Sequence, residues 1–122
     1  MDLSKKVLIV DDFKIALKVL TSTLKEIGFS EIIAVTNGQF AIEKLENDDF
    51  GLIITDRNMP VMDGLELIKY VRNNESLKDI PIIMITSDVK DISIKEALDA
   101  GANAYIEKPF TKEHIKEALD KL

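Results

Sequence analysis

Apolar residues alternate along the chain between two patterns. Runs in which every position is apolar occur at Val7 to Val10, Leu52 to Ile54 and Ile82 to Ile85, with briefer ones at Ile32 to Val35 and Ala104 to Ile106. Each is bounded by turn-forming or charged residues, and a Val- and Ile-rich run without polar alternation fits a strand covered on both faces. Between the runs, apolar residues recur at helical spacing: Ala16, Leu20, Thr23, Leu24 and Ile27; Ala41, Ile42 and Leu45; Leu65, Ile68 and Val71; Ala97 and Leu98; Ile115, Ala118, Leu119 and Leu122. Five strand–helix units in alternation predict parallel βαβ crossovers and a doubly wound α/β sheet between two layers of helices. Gly28, Gly38, Gly51, Gly64 and Gly101 fall at the predicted element ends, where positive φ or helix termination costs glycine least. No repeat, low-complexity stretch or linker divides the chain, so residues 1–122 are expected to form one domain. The last helical pattern reaches Leu122, and no output domain is expected after it.

Composition narrows the function. A 122-residue chain that is 46% apolar can bury one sizeable core. It has no cysteine, which excludes disulfides, thiolate metal sites and a thiol nucleophile. The apolar stretch after MDLSKK is too short for a signal segment, and no run approaches the ~18 apolar residues of a membrane span; a soluble, cytoplasmic protein is expected, most simply a monomer. With 16 basic against 22 acidic residues, the net charge of −6 disfavours nucleic acid and anionic membranes as partners.

The chemistry lies at the ends of the apolar runs. In open parallel sheets, ligands bind beyond the carboxyl ends of the strands, so the residues following each run converge there. They are Asp11 and Asp12 after the first, Asp56 in LIITDRNMP, Thr86 and Ser87 in IIMITSD, and Lys108 in AYIEKPF. Three carboxylates beside a low-dielectric core repel one another unless a proton or a cation sits among them. Oxygen donors with no His or Cys nearby point to a hard divalent ion, with Mg²⁺ expected and Mn²⁺ as a substitute. A metal beside an aspartate, with a lysine and a hydroxyl opposite, suits phosphoryl chemistry in which the aspartate is the nucleophile and an acyl phosphate forms.

VLIVDD, TDRNMPVMDG, ITS and KPF, in this order and over the whole chain, resemble the receiver domain of two-component response regulators. The single-domain length, with DDF, NMPVMDGLEL, Tyr105 and KPF, is most similar to its stand-alone chemotaxis members. The resemblance implies a flavodoxin-like (βα)5 fold with strand order 2-1-3-4-5. It also implies that Asp56 is the phosphoacceptor, that Asp12 holds Mg²⁺ directly and Asp11 through water, and that Asn58 offers its backbone carbonyl. Lys108 would pair with the phosphoryl group across a cis Lys108–Pro109 bond. Thr86 would hydrogen-bond a phosphoryl oxygen and move toward it, and Tyr105 would swing inward after it. Asn58 and Asp88 would flank the line of water attack and set the phosphoryl lifetime. The implied partners are a sensor histidine kinase of the chemotaxis type and a downstream protein, such as a flagellar motor switch component, on the face of helix 4, strand 5 and helix 5. Lys90, Lys95, Tyr105 and Lys112 are candidates on that face, and the protein would be a switch that catalyses only its own phosphoryl transfer and autodephosphorylation.

Plainer readings stand beside these. Asp11 or Asp12 also fits a cap for the following helix, Asp56 a turn, Lys108 a surface lysine, Thr86 a β-propensity choice and Tyr105 a half-buried aromatic. Asp63, ahead of a helical pattern, reads as an N-cap, and His114, among Lys112, Glu113 and Lys116, as solvated surface. Arg57 fits either a cation folded over the site or a solvated side chain. Gln39 and Phe40 depart from the acidic and alanine-like residues common in receivers, with an expected effect on local packing alone. Rival functions are a phosphorelay intermediate that passes its phosphoryl group to a histidine phosphotransfer protein, a receiver cut from a larger regulator, an aspartate-nucleophile phosphatase and a flavodoxin-like cofactor binder. The phosphatase typically needs a second aspartate where Asn58 stands, and the paired aspartates would repel a flavin phosphate.

Overall fold

The computed structural model describes every residue from Met1 to Leu122. Five strands, β1 (Val7–Val10), β2 (Ile32–Val35), β3 (Leu52–Asp56), β4 (Ile82–Thr86) and β5 (Ala104–Glu107), alternate with five helices, α1 (Lys14–Ile27), α2 (Gly38–Asn47), α3 (Gly64–Arg72), α4 (Asp91–Ala100) and α5 (Lys112–Asp120). All strand pairs are parallel, in the order β2-β1-β3-β4-β5, so the expected doubly wound fold is the observed one. β1, β3 and β4 are buried almost end to end because helices cover both faces. One core packs Leu8, Val10, Ile53, Ile82 and Met84 against α2, α3 and α4; the other packs Val7, Ile9, Leu52, Ile54, Ile83 and Ile85 against α1 and α5. Side chains that alternate along one strand thus feed two different cores, which fixes the register.

Several local expectations need correction. Leu98 is 46% exposed and Leu65 only half-buried, while Ile68, Val71 and Ala97 are fully buried as expected, joined by Leu67 on α3 and Ser93 on α4. α5 ends at Asp120, leaving Leu122 outside the helix and exposed. Among the glycines only Gly28 and Gly101 take positive φ, at 129° and 120°, where each closes a helix. Gly38 instead opens α2 where a Cβ would meet Met62, and Gly64 opens α3 against the end of β3.

Arg72, at the end of α3, carries a role the sequence pattern does not reveal. Its guanidinium donates to the carbonyls of Gly101, Lys78 and Ile80 and to Asn103 Oδ1. Asn103 Oδ1 also accepts the Ile82 N–H at 2.8 Å, which fixes the entry of β4. Replacing Arg72 by Met would leave these acceptors unsatisfied, an expected loss of about 2–4 kcal/mol in urea unfolding; an unchanged midpoint would show that water replaces the guanidinium.

Candidate active site

The strand register assembles the site. Val10 pairs with Thr55, Asp56 with Ile85 and Thr86 with Glu107, so the tips of β1, β3, β4 and β5 end at one edge of the sheet. Two hydrogen bonds extend the pairing past the strands: Asp11 N–H to the Val35 carbonyl at 3.2 Å, and Lys108 N–H to the Thr86 carbonyl at 2.9 Å. The second holds the Lys108 backbone beside β4, and the Lys108–Pro109 bond is cis, as expected.

Carboxylate oxygens of Asp11, Asp12 and Asp56 lie within 4.8 Å of one another, Asp11 buried and Asp12 exposed. Neither Asp11 nor Asp12 caps α1; that position belongs to Phe13, whose side chain makes no cap bond. Asp11 Oδ1 accepts the Phe13 N–H at 2.9 Å, and its Oδ2 accepts from Lys108 Nζ at 2.7 Å. Lys108 Nζ stands 3.5 Å from Asp56 Oδ1, which also accepts the Arg57 N–H at 2.9 Å. Lys108 is the one cation paired with this cluster. The oxygen-only donors and the excess of carboxylates suit a hard divalent cation. Beneath lies a space of only about 20 Å³, lined by Val10, Asp11, Thr55, Asp56 and Lys108 among others; it fits about one water and no organic cofactor.

The environment shifts the titrating groups. Burial pushes the Asp56 carboxyl above its ordinary value of 3.8, helped by the Asp11 charge and opposed by Lys108 and the Arg57 N–H. Burial lowers the Lys108 ammonium's pKa, but the hydrogen bond to Asp11 and the Asp56 and Asp11 charges outweigh it and raise the net value.

Further polar residues lie around and beyond the carboxylates. Thr86 is fully buried, and its hydroxyl accepts the Asp88 N–H at 3.1 Å. The half-buried Tyr105 donates its hydroxyl to the Asp88 carbonyl, so it is already tied to the loop after β4. The Asp88 carboxylate accepts from Ser93 Oγ at 2.8 Å, which holds it below the ordinary value, and Asn58 is exposed. Lys90 is exposed, while Lys95 pairs with Asp99 and Lys112 with Glu26. Asp63 caps α3 in a capping box with Glu66, as expected. His114 is exposed as expected, yet it is not merely solvated: its Nδ1 accepts the Thr111 N–H, closing a capping box at α5. Gln39 and Phe40 are exposed and enter no core. Arg57 takes neither expected course but reaches to α4, where it donates to the Ser93 carbonyl and to Glu96.

The loop from β3 to α3 is tightly folded. The Met62 N–H bonds the Pro60 carbonyl at 2.8 Å around Val61, a γ-turn whose φ of 70° is strained for a β-branched residue. Gly64 N–H donates to the Arg57 carbonyl at 2.8 Å, and a Cβ on Gly64 would fall 2.2 Å from the Asp56 carbonyl oxygen. Arg57 and Gly64 were not expected as shaping residues, although the DG dipeptide at a helix start was a usable signal.

Comparison with known proteins gives a consistent picture. The family model of the response regulator receiver domain matches residues 7–120. Chemotaxis protein CheY-3 of Vibrio cholerae is 43% identical over 117 residues, covering 96% of this chain and 90% of that protein. Chemotaxis protein CheY of Pseudomonas aeruginosa is 38% identical over 117 residues, with 96% and 94% covered. Among solved structures, chemotaxis response regulator CheY4 of Vibrio cholerae superposes with a TM-score of 0.88 at 34% identity, over 97% of this chain and 98% of that one. The receiver domain of a Pseudomonas aeruginosa sensor histidine kinase, with a magnesium ion coordinated in its active site cleft, gives 0.86 at 26% identity, over 97% and 96%.

Two outcomes follow from this geometry. In metal-free buffer at neutral pH, Asp56→Asn should be more stable than wild type by on the order of 1 kcal/mol. Because the folded state holds the Asp56 proton more tightly than the unfolded state, stability falls as pH rises from about the ordinary value of 3.8 through the raised one. The gain should therefore shrink below that window; urea midpoints from pH 3 to 8 measure it, and a pH-independent difference would contradict the carboxylate crowding. Gly64→Ala should cost about 1–3 kcal/mol through its clash with the Asp56 carbonyl, and a neutral result would show that the loop can yield there.

Proposed function

The chain belongs to the response regulator receiver family, and from that premise we propose that it is a phosphorylation-activated switch of a two-component pathway. The observation that carries this reading is the set of three carboxylates around one lysine at the ends of β1, β3 and β5. In this reading Asp56 is the phosphoacceptor and a sensor histidine kinase, or a small donor such as acetyl phosphate, supplies the group. No hydrogen bond engages Asp56 Oδ2, so it is the attacking oxygen. Its bond to phosphorus forms as the bond from phosphorus to the donor nitrogen or oxygen breaks, and the donor leaves with that electron pair. Asp11, Asp12, Asp56 and the Asn58 carbonyl would hold Mg²⁺, which supplies neutralisation of the carboxylates and of the phosphoryl oxygens when bound. Lys108 keeps its positive charge beside the acceptor and complements charge developing on the equatorial oxygens.

The acyl phosphate adds roughly −1.5 to −2 charges at the edge of the core. Lys108 then divides its contacts between Asp11 and the new group. The Thr86 hydroxyl, which accepts from Asp88 in the resting protein, can donate to a phosphoryl oxygen if the loop shifts. Tyr105, bonded to the Asp88 carbonyl, moves with that loop because a packed core switches between discrete arrangements. The output surface is then the face of α4, β5 and α5, where Tyr105, Glu107, Pro109, His114 and Lys121 line a groove of about 250 Å³. We take the whole chain to act as one receiver domain in the cytoplasm, and its identity of about 40% to chemotaxis proteins favours a motor-switch partner. Asn58 and Asp88, polar and beside the site, favour a short-lived signal; its only catalysis would be its own phosphorylation and dephosphorylation.

Intact-mass spectrometry after incubation with acetyl phosphate and Mg²⁺ tests the reading. Wild type should gain one phosphoryl mass, and Asp56→Asn or an EDTA-treated sample should gain none. Modification persisting in Asp56→Asn would overturn the assignment.

A further inference from the structure

The residue after the reactive aspartate makes contacts that the switch described above does not use. Arg57 Nη1 donates to the Ser93 carbonyl at 2.8 Å and Nη2 to Glu96 Oε1 at 3.2 Å, with the Arg57 side chain only 12% exposed. Its own N–H holds Asp56 Oδ1 at 2.9 Å, and its carbonyl accepts from Gly64. One residue therefore grips the reacting carboxylate with its main chain and the third residue of α4 with its side chain. From Ser93 the bonding continues: Oγ donates to Asp88, whose N–H meets Thr86 and whose carbonyl meets Tyr105.

α4 is lightly anchored, which gives this grip weight. Its N-cap, Lys90, makes no side-chain cap bond, its fully buried residues are only Ser93 and Ala97, and Ile92 and Leu98 face solvent. A buried guanidinium that loses its acceptors is costly, so Arg57 favours the one placement of α4 that keeps Ser93 and Glu96 in reach. A loop shift that follows a new group on Asp56 moves the Arg57 backbone, and the helix must follow or let go.

We propose that Arg57 is a positioning residue that couples the state of Asp56 to the placement of α4 directly, through its own main chain and guanidinium, in addition to Lys108 and Thr86. The inference rests on the receiver reading of the site and concerns its regulation.

The test uses amide ¹H–¹⁵N spectra of the full chain with Mg²⁺, before and after beryllofluoride, a phosphoryl mimic. In wild type, the amides of Thr86, Lys108, Ser93, Glu96 and Ala97 should all shift. In Arg57→Met, the α4 shifts should shrink by about half or more, while those of Thr86 and Lys108 persist; Arg57→Lys, which keeps charge but reaches fewer acceptors, should restore part of the α4 response. Glu96→Lys, an exposed change that sets a second cation against Arg57, is the second arm should Arg57→Met fold poorly, and it should also weaken the α4 response. Full-size α4 shifts in either folded variant would overturn the coupling. A wild-type spectrum that ignores beryllofluoride altogether would instead withdraw the reading of Asp56 as phosphoacceptor, and the inference with it.

Discussion

Lys108 Nζ, 2.7 Å from Asp11 and 3.5 Å from Asp56, carries a single positive charge into a group of three carboxylates. Asp12 completes that group at the surface, so the site holds an excess of negative charge at the rim of a core that cannot solvate it. The balance explains why Asp56 is drawn toward its protonated form while Lys108 is held charged. It also explains why a hard cation and an incoming phosphoryl group are the natural ligands: each changes the charge count in a place where charge is expensive. A fold that only needed stability would not gather carboxylates here.

The sheet is what makes the gathering possible. Strands buried on both faces are rigid and tightly registered, so the residue that ends each strand is fixed to within the precision of the ladder. Asp56 ends β3 and Thr86 ends β4, and the Lys108 N–H extends the pairing of β5 with β4. Asp56 reacts from this frame, and the strand residues Thr86 and Tyr105 are bonded to Asp88 on the loop after β4. The arrangement fits a switch: the frame sets distances near the reacting oxygen, and the loops after β3 and β4 can exchange one set of hydrogen bonds for another.

Those loops store the means of exchange. Thr86, Asp88, Ser93, Tyr105 and Arg57 form one hydrogen-bonded cluster between the carboxylates and α4. Val61 adds a strained turn to the loop that also carries Gly64, whose missing Cβ lets that loop lie against the Asp56 carbonyl. Strain and close backbone approach at this one loop imply that its path is dictated by the site and not by local preference.

Local pattern was enough for much of this. Unbroken runs such as VLIV and LII can only be buried from both sides, and the rule that parallel sheets present their carboxyl ends to ligands places Asp11, Asp56, Thr86 and Lys108 together. Asp63 was legible as a cap because capping is a contact between residues three apart. Arg72, gripping Gly101 and Asn103, and Arg57, gripping Ser93 and Glu96, were not legible. Each bridges residues about thirty or more positions apart, and a long flexible cation shows no periodicity that reveals its acceptor. The inward face of α4 was misjudged at Leu98 for a related reason: with few apolar residues, its rotation is set by the neighbours that hold it. The sequence by itself determined the layers and the chemical types at the strand tips, since these follow from local periodicity and charge, whereas the strand order was implied only by the resemblance to a family. Only the tertiary structure decided which oxygen faces which donor and which helix the aspartate's neighbour holds, because those contacts depend on side-chain reach across elements that packing alone brings together.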